Sequence, residues 1–340
     1  MTAFTPASAL DSGPAGASAD AGGPPRMADV LAAARRLEGV VRRTPLERSD
    51  ALSARVGVDV HLKLETLQRT GSFKLRGACN RVATLTDAER ARGLVTASAG
   101  NHGQGVAFAA RRYGARATVF VPAGAPETKR RRIARHGAEL RLVDGGYDAA
   151  HAAAEAHEAE TGAFFVHAFS DPQTVAGQGT VGLEIFSDLP EAKTVLVPVG
   201  GAGLINGIGL VARALGDRVR VVGVQTHVTS GMHDSLAAGR VVPAPTGPTM
   251  CEGLEGDVDQ AGFELARRLV DEIVLVSEDA VRRAVRWLYV EEGVVAEGSA
   301  AVVAAALLEG AVGGLRGPVA AVLSGSNLDA ARLASILSEA

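Results

Sequence analysis

The sequence predicts an α/β fold built on a mostly parallel sheet covered by helices on both faces. Two observations carry this. Short runs of Val, Leu and Ile recur with little polar interruption, the composition of strands buried on both sides. Between them lie longer segments whose apolar residues return every three or four positions, the helical period. At 340 residues the chain is long enough for two domains or one large α/β unit.

The first 26 residues are rich in Ala, Gly, Pro and Ser, with no Lys or Arg before Arg26 and no continuous apolar run. A disordered leader is expected there rather than a signal peptide. From Met27 the spacing of Val30, Leu31, Ala34 and Leu37 predicts a helix. Strands are predicted at 60–64, 94–97, 117–121, 139–143, 194–199, 218–224, 273–276 and 319–323, and helices at 103–113, 127–136, 149–161 and 279–291. A last helix at 328–337 would be capped by Ser326 or Asn327. Trp287 and Tyr289 fall within the helical pattern of 279–291 and read as packing residues.

A net charge of −3 gives no footprint for nucleic acid. The basic run Lys129-Arg130-Arg131-Arg132 lies in a helical stretch and reads as a solvated face. Cys79 and Cys251 are the only cysteines, without metal-ligand spacing, and the histidines do not cluster, so no metal is expected. No apolar run reaches the roughly 18 residues of a membrane helix. A soluble, cytoplasmic protein without a membrane partner is expected.

Parallel sheets bind ligands outside the carboxyl ends of their strands. Three strand ends carry distinctive loops. After 94–97 comes Ser98-Ala99-Gly100-Asn101-His102, leading into a helix, and after 194–199 comes Gly200-Gly201-Ala202-Gly203-Leu204, again opening a helix. Small residues let the backbone approach an anion, and the N–H groups of a helix start point at it. A plain strand-to-helix turn is the alternative for each. A dinucleotide fingerprint in the second loop would require an acidic residue about 20 positions on. The next strand ends in Val224-Gln225 instead, which leaves a nicotinamide oxidoreductase a distant alternative. The third loop is Ser324-Gly325-Ser326-Asn327, where the Ser324 hydroxyl at a buried strand end needs a partner.

Lys74 follows a Gly71-Ser72 turn signal and Phe73, and precedes Gly77. A lysine so placed is suited to partial burial, which lowers its pKa and supplies the neutral amine that Schiff-base chemistry requires. A solvent-exposed lysine is the alternative.

Together, Ser72-Phe73-Lys74-Leu75-Arg76-Gly77, Ser98-Ala99-Gly100-Asn101-His102, Gly200-Gly201-Ala202-Gly203-Leu204 and Ser324-Gly325-Ser326-Asn327 resemble the threonine/serine ammonia-lyase (dehydratase) family of pyridoxal-phosphate enzymes. The resemblance runs from about Met27 to the C-terminus. It implies a tryptophan synthase β-like fold, with two open, mostly parallel twisted sheets covered by helices and the cofactor in a cleft between domains. Residues 27–65 plus 167–340 would form the large domain and 66–166 the small one, without a C-terminal regulatory domain.

The resemblance also implies roles. Lys74 would hold pyridoxal 5'-phosphate covalently and act as the acid-base group. Phe73 would pack near the ring and Asn101 would bond its phenolic oxygen. Gly200, Gly201, Ala202, Gly203 and Leu204 would hold the phosphate, and Ser324 would face the pyridine nitrogen. Ser98, Ala99, Gly100, Asn101 and His102 would receive the substrate carboxylate. Glu297 resembles a family position close to the cofactor, although a helix-start carboxylate explains it almost as well.

Four departures from the family pattern bear on function. Ala202 and Ser326 stand where glycines are frequent. Gln225 stands where metal-binding relatives carry a carboxylate. Ala99 replaces the serine that racemases use as a second acid-base. The implied reaction is β-elimination from L-threonine or L-serine to a 2-oxo acid and ammonia, in a homodimer or homotetramer. Its rivals are a dehydratase of another β-hydroxy or N-modified amino acid, a serine racemase, or a cofactor-binding regulator without activity.

Overall fold

The computed structural model describes residues 23–216 and 218–338. The leader expected at 1–26 falls outside them except for residues 23–26, which form no helix or strand. Ten strands follow: β1 (Leu46–Ser49), β2 (Val60–Leu64), β3 (Leu94–Ala97), β4 (Ala117–Pro122), β5 (Glu139–Val143), β6 (Phe164–Phe165), β7 (Thr194–Pro198), β8 (Arg220–Thr226), β9 (Glu272–Val276) and β10 (Val319–Leu323). They form two sheets, a six-stranded one in the order β1-β2-β10-β7-β8-β9 and a four-stranded one in the order β5-β4-β3-β6. Among the described strands only β1 and β2 pair antiparallel, and the other strand pairs are parallel.

All eight predicted strands are present. The sequence reading missed β1 and β6 for a simple reason: Leu-Glu-Arg-Ser is a mostly polar edge strand, and β6 is two residues long. β8 runs two residues further than its hydrophobic run, through Gln225 and Thr226.

The central strands bury both faces, and their side chains alternate between two cores. Leu196, Ala321 and Leu323 join the cluster around the Ala-rich helix Gly298–Leu308. Val195, Val197, Ala320 and Val322 join the opposite cluster, with Ile205 and Ile208 of helix Gly203–Ala214. At roughly 1.5–3 kcal/mol for each fully buried aliphatic side chain, these layers fix the register of β7 and β10. Their carboxyl ends are thereby held side by side.

Helix Lys74–Ala83 connects the two sheets, packing on helix Asn101–Arg112 and on helix Pro172–Asp188. The second contact depends on glycine, since a Cβ on Gly177 would stand 2.7 Å from the Arg76 carbonyl oxygen.

The C-terminal helix differs from expectation. It spans Ala330–Ser338, and Asp329 rather than Ser326 or Asn327 bonds its first turn, through Ala331 N–H to Oδ1 at 2.9 Å. Ser326 and Asn327 are drawn inward instead, to the carbonyls of Thr66 and Thr70. Trp287 packs against the core as expected, whereas Tyr289 is exposed.

Candidate active site

The loops after β3, β7 and β10 and the start of helix Lys74–Ala83 meet at one place. The Phe73 N–H donates to the Ser324 carbonyl at 3.0 Å, and Ser72 pairs with Gly325, so the lysine turn is tied to the end of β10. The Lys74 Nζ donates to the Ala168 carbonyl at 3.2 Å and lies 5.3 Å from the centre of the Phe73 ring. Among the described residues no carboxylate pairs with it. Burial lowers its pKa from 10.5 to about 8, opposed only by the charge of Glu297.

Helix Asn101–Arg112 begins two residues earlier than its periodicity indicates, which puts Asn101 in its first turn. No side chain caps this helix; the Gly100 N–H turns back to the Ser98 hydroxyl at 3.1 Å. Asn101 donates from Nδ2 to Glu297 Oε1 and accepts at Oδ1 from Asn327 Nδ2, both at 2.6 Å. Burial raises the Glu297 pKa to about 7, with the Asn101 bond pulling the other way. Glu297 precedes helix Gly298–Leu308 without capping it, so its carboxylate serves Asn101 and not the helix start. The His102 Nε2 meets the Val166 carbonyl at 2.8 Å and its Nδ1 is buried without a partner. Burial depresses this imidazole to about 3, so it is neutral near pH 7.

The loop after β7 is shaped for an anion. Ala202 adopts the left-handed conformation, φ 64° and ψ 0°, and helix Gly203–Ala214 starts without a side-chain cap. Such a turn before a helix gathers several N–H groups into one concavity. Phe169 covers it: a Cβ on Gly201 would stand 2.4 Å from the Phe169 ring. Gln225 secures the loop from behind, donating to the carbonyls of Val199 at 3.1 Å and Thr229 at 2.6 Å.

Ser324 is buried, and among the described residues its hydroxyl has no bonding partner. The neighbouring Ser72 hydroxyl is buried and unpartnered as well. These orphaned groups, the uncapped helix and the enclosed amine together suit a flat, phosphate-bearing aldehyde. No group of three or more potential metal ligands occurs among the described residues, and no described helix is long and apolar enough to cross a membrane.

Sequence reasoning missed Ala168 and Phe169, and it read Asn327, which bonds Asn101, as a possible helix cap. Ala168 and Phe169 sit in an irregular segment with no periodic signal, and they matter through position rather than residue type. The basic run also differs from expectation. Lys129 pairs with Glu252, Arg132 donates to Asn327 Oδ1 at 3.2 Å, and neighbouring Thr128 bonds Asp329 at 3.0 Å. Helix Glu127–Ala134 therefore docks one edge, through Thr128, Lys129 and Arg132, onto the C-terminal segment and Glu252, while Arg131 faces solvent as expected.

Residues 37–325 match the family described as pyridoxal-phosphate dependent enzyme. The L-threonine ammonia-lyase of Thermotoga maritima is 45% identical over 306 residues, covering 88% of this chain and 75% of its own. Among solved structures, maize serine racemase superposes with a TM-score of 0.88 at 31% identity, over 92% of this chain and 96% of the other. The processed form of threonine deaminase isoform 2 from Solanum lycopersicum gives 0.86 at 32% identity, over 92% of each chain.

Proposed function

The chain belongs to the pyridoxal-phosphate-dependent enzymes, and we propose that it is an ammonia-lyase converting L-threonine, L-serine or both to the 2-oxo acid and ammonia. The observation that carries this reading is the enclosed, unpaired amine of Lys74 at the junction of three strand-end loops. Its cofactor is pyridoxal phosphate. When bound, that group withdraws the electron pair left at the substrate α-carbon.

Lys74 would hold the cofactor covalently, and its Nζ amine would take the α-proton of the substrate. An amine with a pKa of about 8 is well matched to that task near neutral pH. The concavity from Gly200 to Leu204 holds the phosphate. Phe73 would support the ring, Asn101 would meet the phenolic oxygen and Ser324 would meet the pyridine nitrogen. A hydroxyl at Ser324, unlike a carboxylate, would not hold that nitrogen protonated, which would suit elimination of the β-hydroxyl. Ser98, Ala99 and Gly100 with the uncapped helix start receive the substrate carboxylate.

The His102 side chain acts differently from a substrate ligand: its bond to Val166 orients the loop. Ala99 offers no proton on the opposite face, as racemisation would require. The same reading places the site between residues 66–166 and residues 27–65 plus 167–340, in a homodimer or homotetramer.

The test is a visible spectrum of the purified protein with pyridoxal phosphate, followed by a panel of β-hydroxy amino acids scored for 2-oxo acid and for product chirality. The expected result is a visible band, 2-oxobutanoate or pyruvate, and no inverted amino acid. K74A should lose both the band and turnover, and retention of either removes Lys74 from the role assigned to it. A panel without any 2-oxo acid would favour a cofactor-binding regulator.

A further inference from the structure

Four side chains from opposite sides of the cleft form one hydrogen-bonded chain. Asn101 donates to Glu297 and accepts from Asn327; Asn327 Nδ2 also donates to the Thr70 carbonyl at 2.9 Å, and its Oδ1 accepts from Arg132. The end partners leave no choice of role. A main-chain carbonyl and a carboxylate only accept, and a guanidinium only donates. Asn327 must therefore turn its nitrogen to Thr70 and its oxygen to Arg132. It follows that Asn101 offers its oxygen to Asn327 and its nitrogen to Glu297.

The carboxylate is held for this purpose by its surroundings. Its own backbone N–H donates to the Gly325 carbonyl at 3.0 Å, and a Cβ on Gly325 would stand 2.4 Å from Glu297 Oε1. Glycine at 325 is what makes room for it. Charged groups acting on the Glu297 carboxyl come from three other elements: Lys74, Lys129 of helix Glu127–Ala134, and Glu252. None of them bonds it directly: its carboxylate accepts from the Asn101 amide and from the Asn327 main-chain N–H, so Asn101 is the side chain through which it acts.

We propose that Glu297 is a positioning residue that, by accepting one N–H of Asn101, fixes this amide so that its second N–H is presented as a donor to the cofactor. This rests on the reading that Asn101 meets the phenolic oxygen. A carboxylate at Glu297 locks the amide. A protonated or amidated one can donate, and it then competes with Asn327 for the Asn101 oxygen and no longer holds the Asn101 N–H in place.

The test uses the pyridoxal-phosphate-loaded protein and two readouts besides turnover: the pH titration of the visible band, and cofactor retention on dialysis. E297Q should move the midpoint of the titration by roughly one unit and weaken retention roughly tenfold, as expected for losing a hydrogen bond to a charged group. E297D should restore part of both. N101A should give changes of the same size, and E297Q with N101A should add nothing further. If N101A alters the spectrum while E297Q titrates like the unmodified protein, or if the two effects add, Glu297 does not act through Asn101. If N101A itself changes neither readout, the placement of Asn101 on the cofactor fails instead, and the proposal with it. Should E297Q not fold, N327D places an acceptor against the Asn101 oxygen and must disturb the same band; an unchanged band overturns the proposal.

Discussion

Lys74 and Arg76 stand two residues apart on one helix, so their side chains leave it in different directions. Arg76 is fully buried and Lys74 partly so, and their surroundings are opposite. All the N–H groups of Arg76 are engaged: Nε and Nη2 with Glu65 at 2.9 and 2.7 Å, Nη1 and Nη2 with Glu184 at 2.6 and 2.9 Å, and Nη1 with Thr180 at 3.2 Å. Lys63, also fully buried, completes the group through Glu184 at 2.6 Å. Two cations and two carboxylates cancel, and the pairing holds the Glu184 pKa below its ordinary value despite burial. Lys74 has one carbonyl and no counter-ion bonded to it. Enclosing a charge thus has two uses in this fold. Where partners are complete the cluster positions the helix, and where they are withheld the amine keeps a lowered pKa.

The contrast is broken most directly by exchanging its consequences. K74A should lower turnover by at least the roughly 10²–10⁴-fold associated with removing a general base, while leaving the unfolding midpoint of the cofactor-free protein unchanged or higher. R76M should do the reverse. It leaves Glu65 and Glu184 with Lys63 as their one cation, and breaking a buried pair in this way costs about 3–5 kcal/mol. Thermal or urea unfolding of both variants measures this. Equal destabilisation by K74A would mean that Lys74 is a structural cation like Arg76.

A second consequence concerns pH. For Lys74 the folded pKa, about 8, lies below the ordinary 10.5, so the unfolded chain binds more protons between those values and stability rises with pH across that window. Below pH 8 the full penalty is present; above 10.5 it is gone. The difference corresponds to about 3 kcal/mol, which screening in a partly open cleft reduces to on the order of 2 kcal/mol. Cofactor-free K74M should therefore be more stable than the unmodified chain at pH 7, with the advantage fading above pH 8. Urea denaturation at pH 7 and pH 9.5 reads this directly, and an advantage independent of pH would assign the gain to packing.

The sequence made one of these two regions far more legible than the other. Lys74, Asn101, the glycine loop and Ser324 were visible because each follows a strong strand or turn signal, and parallel strands deliver their carboxyl ends to one edge. The Arg76 cluster was not, because Lys63, Glu65, Arg76 and Glu184 are ordinary residue types brought together from four separate elements. Asn327 gave a misleading signal: its type suits a helix cap, but its amide found the Thr70 carbonyl and Asn101 instead. Lys129 and Arg132 read as solvated for a similar reason, since a basic run looks alike whether it faces water or an acceptor on another element. Local propensity shows what a residue can do, and only tertiary placement shows which partner it meets.

The smallest expected effect tests whether the cleft also carries strain in its backbone. Ala202 is the one residue other than glycine with positive φ among the described residues. An L-residue there costs roughly 1–2 kcal/mol, of which a glycine would return part in greater freedom of the unfolded chain. A202G should accordingly stabilise the cofactor-free protein by about 1 kcal/mol, a rise in melting temperature of about 2 °C for a chain of this size. The alanine methyl group stiffens the turn that gathers the N–H groups of the loop. Its removal should therefore weaken phosphate binding as it relieves the strain, and fluorescence titration with pyridoxal phosphate would show both effects in one variant. Higher stability with unchanged cofactor affinity would mean that the left-handed turn is a tolerated accident. Lower stability would mean that Ala202 is held by its packing, as Arg76 is by its carboxylates, and that this corner of the cleft belongs with the structural cluster.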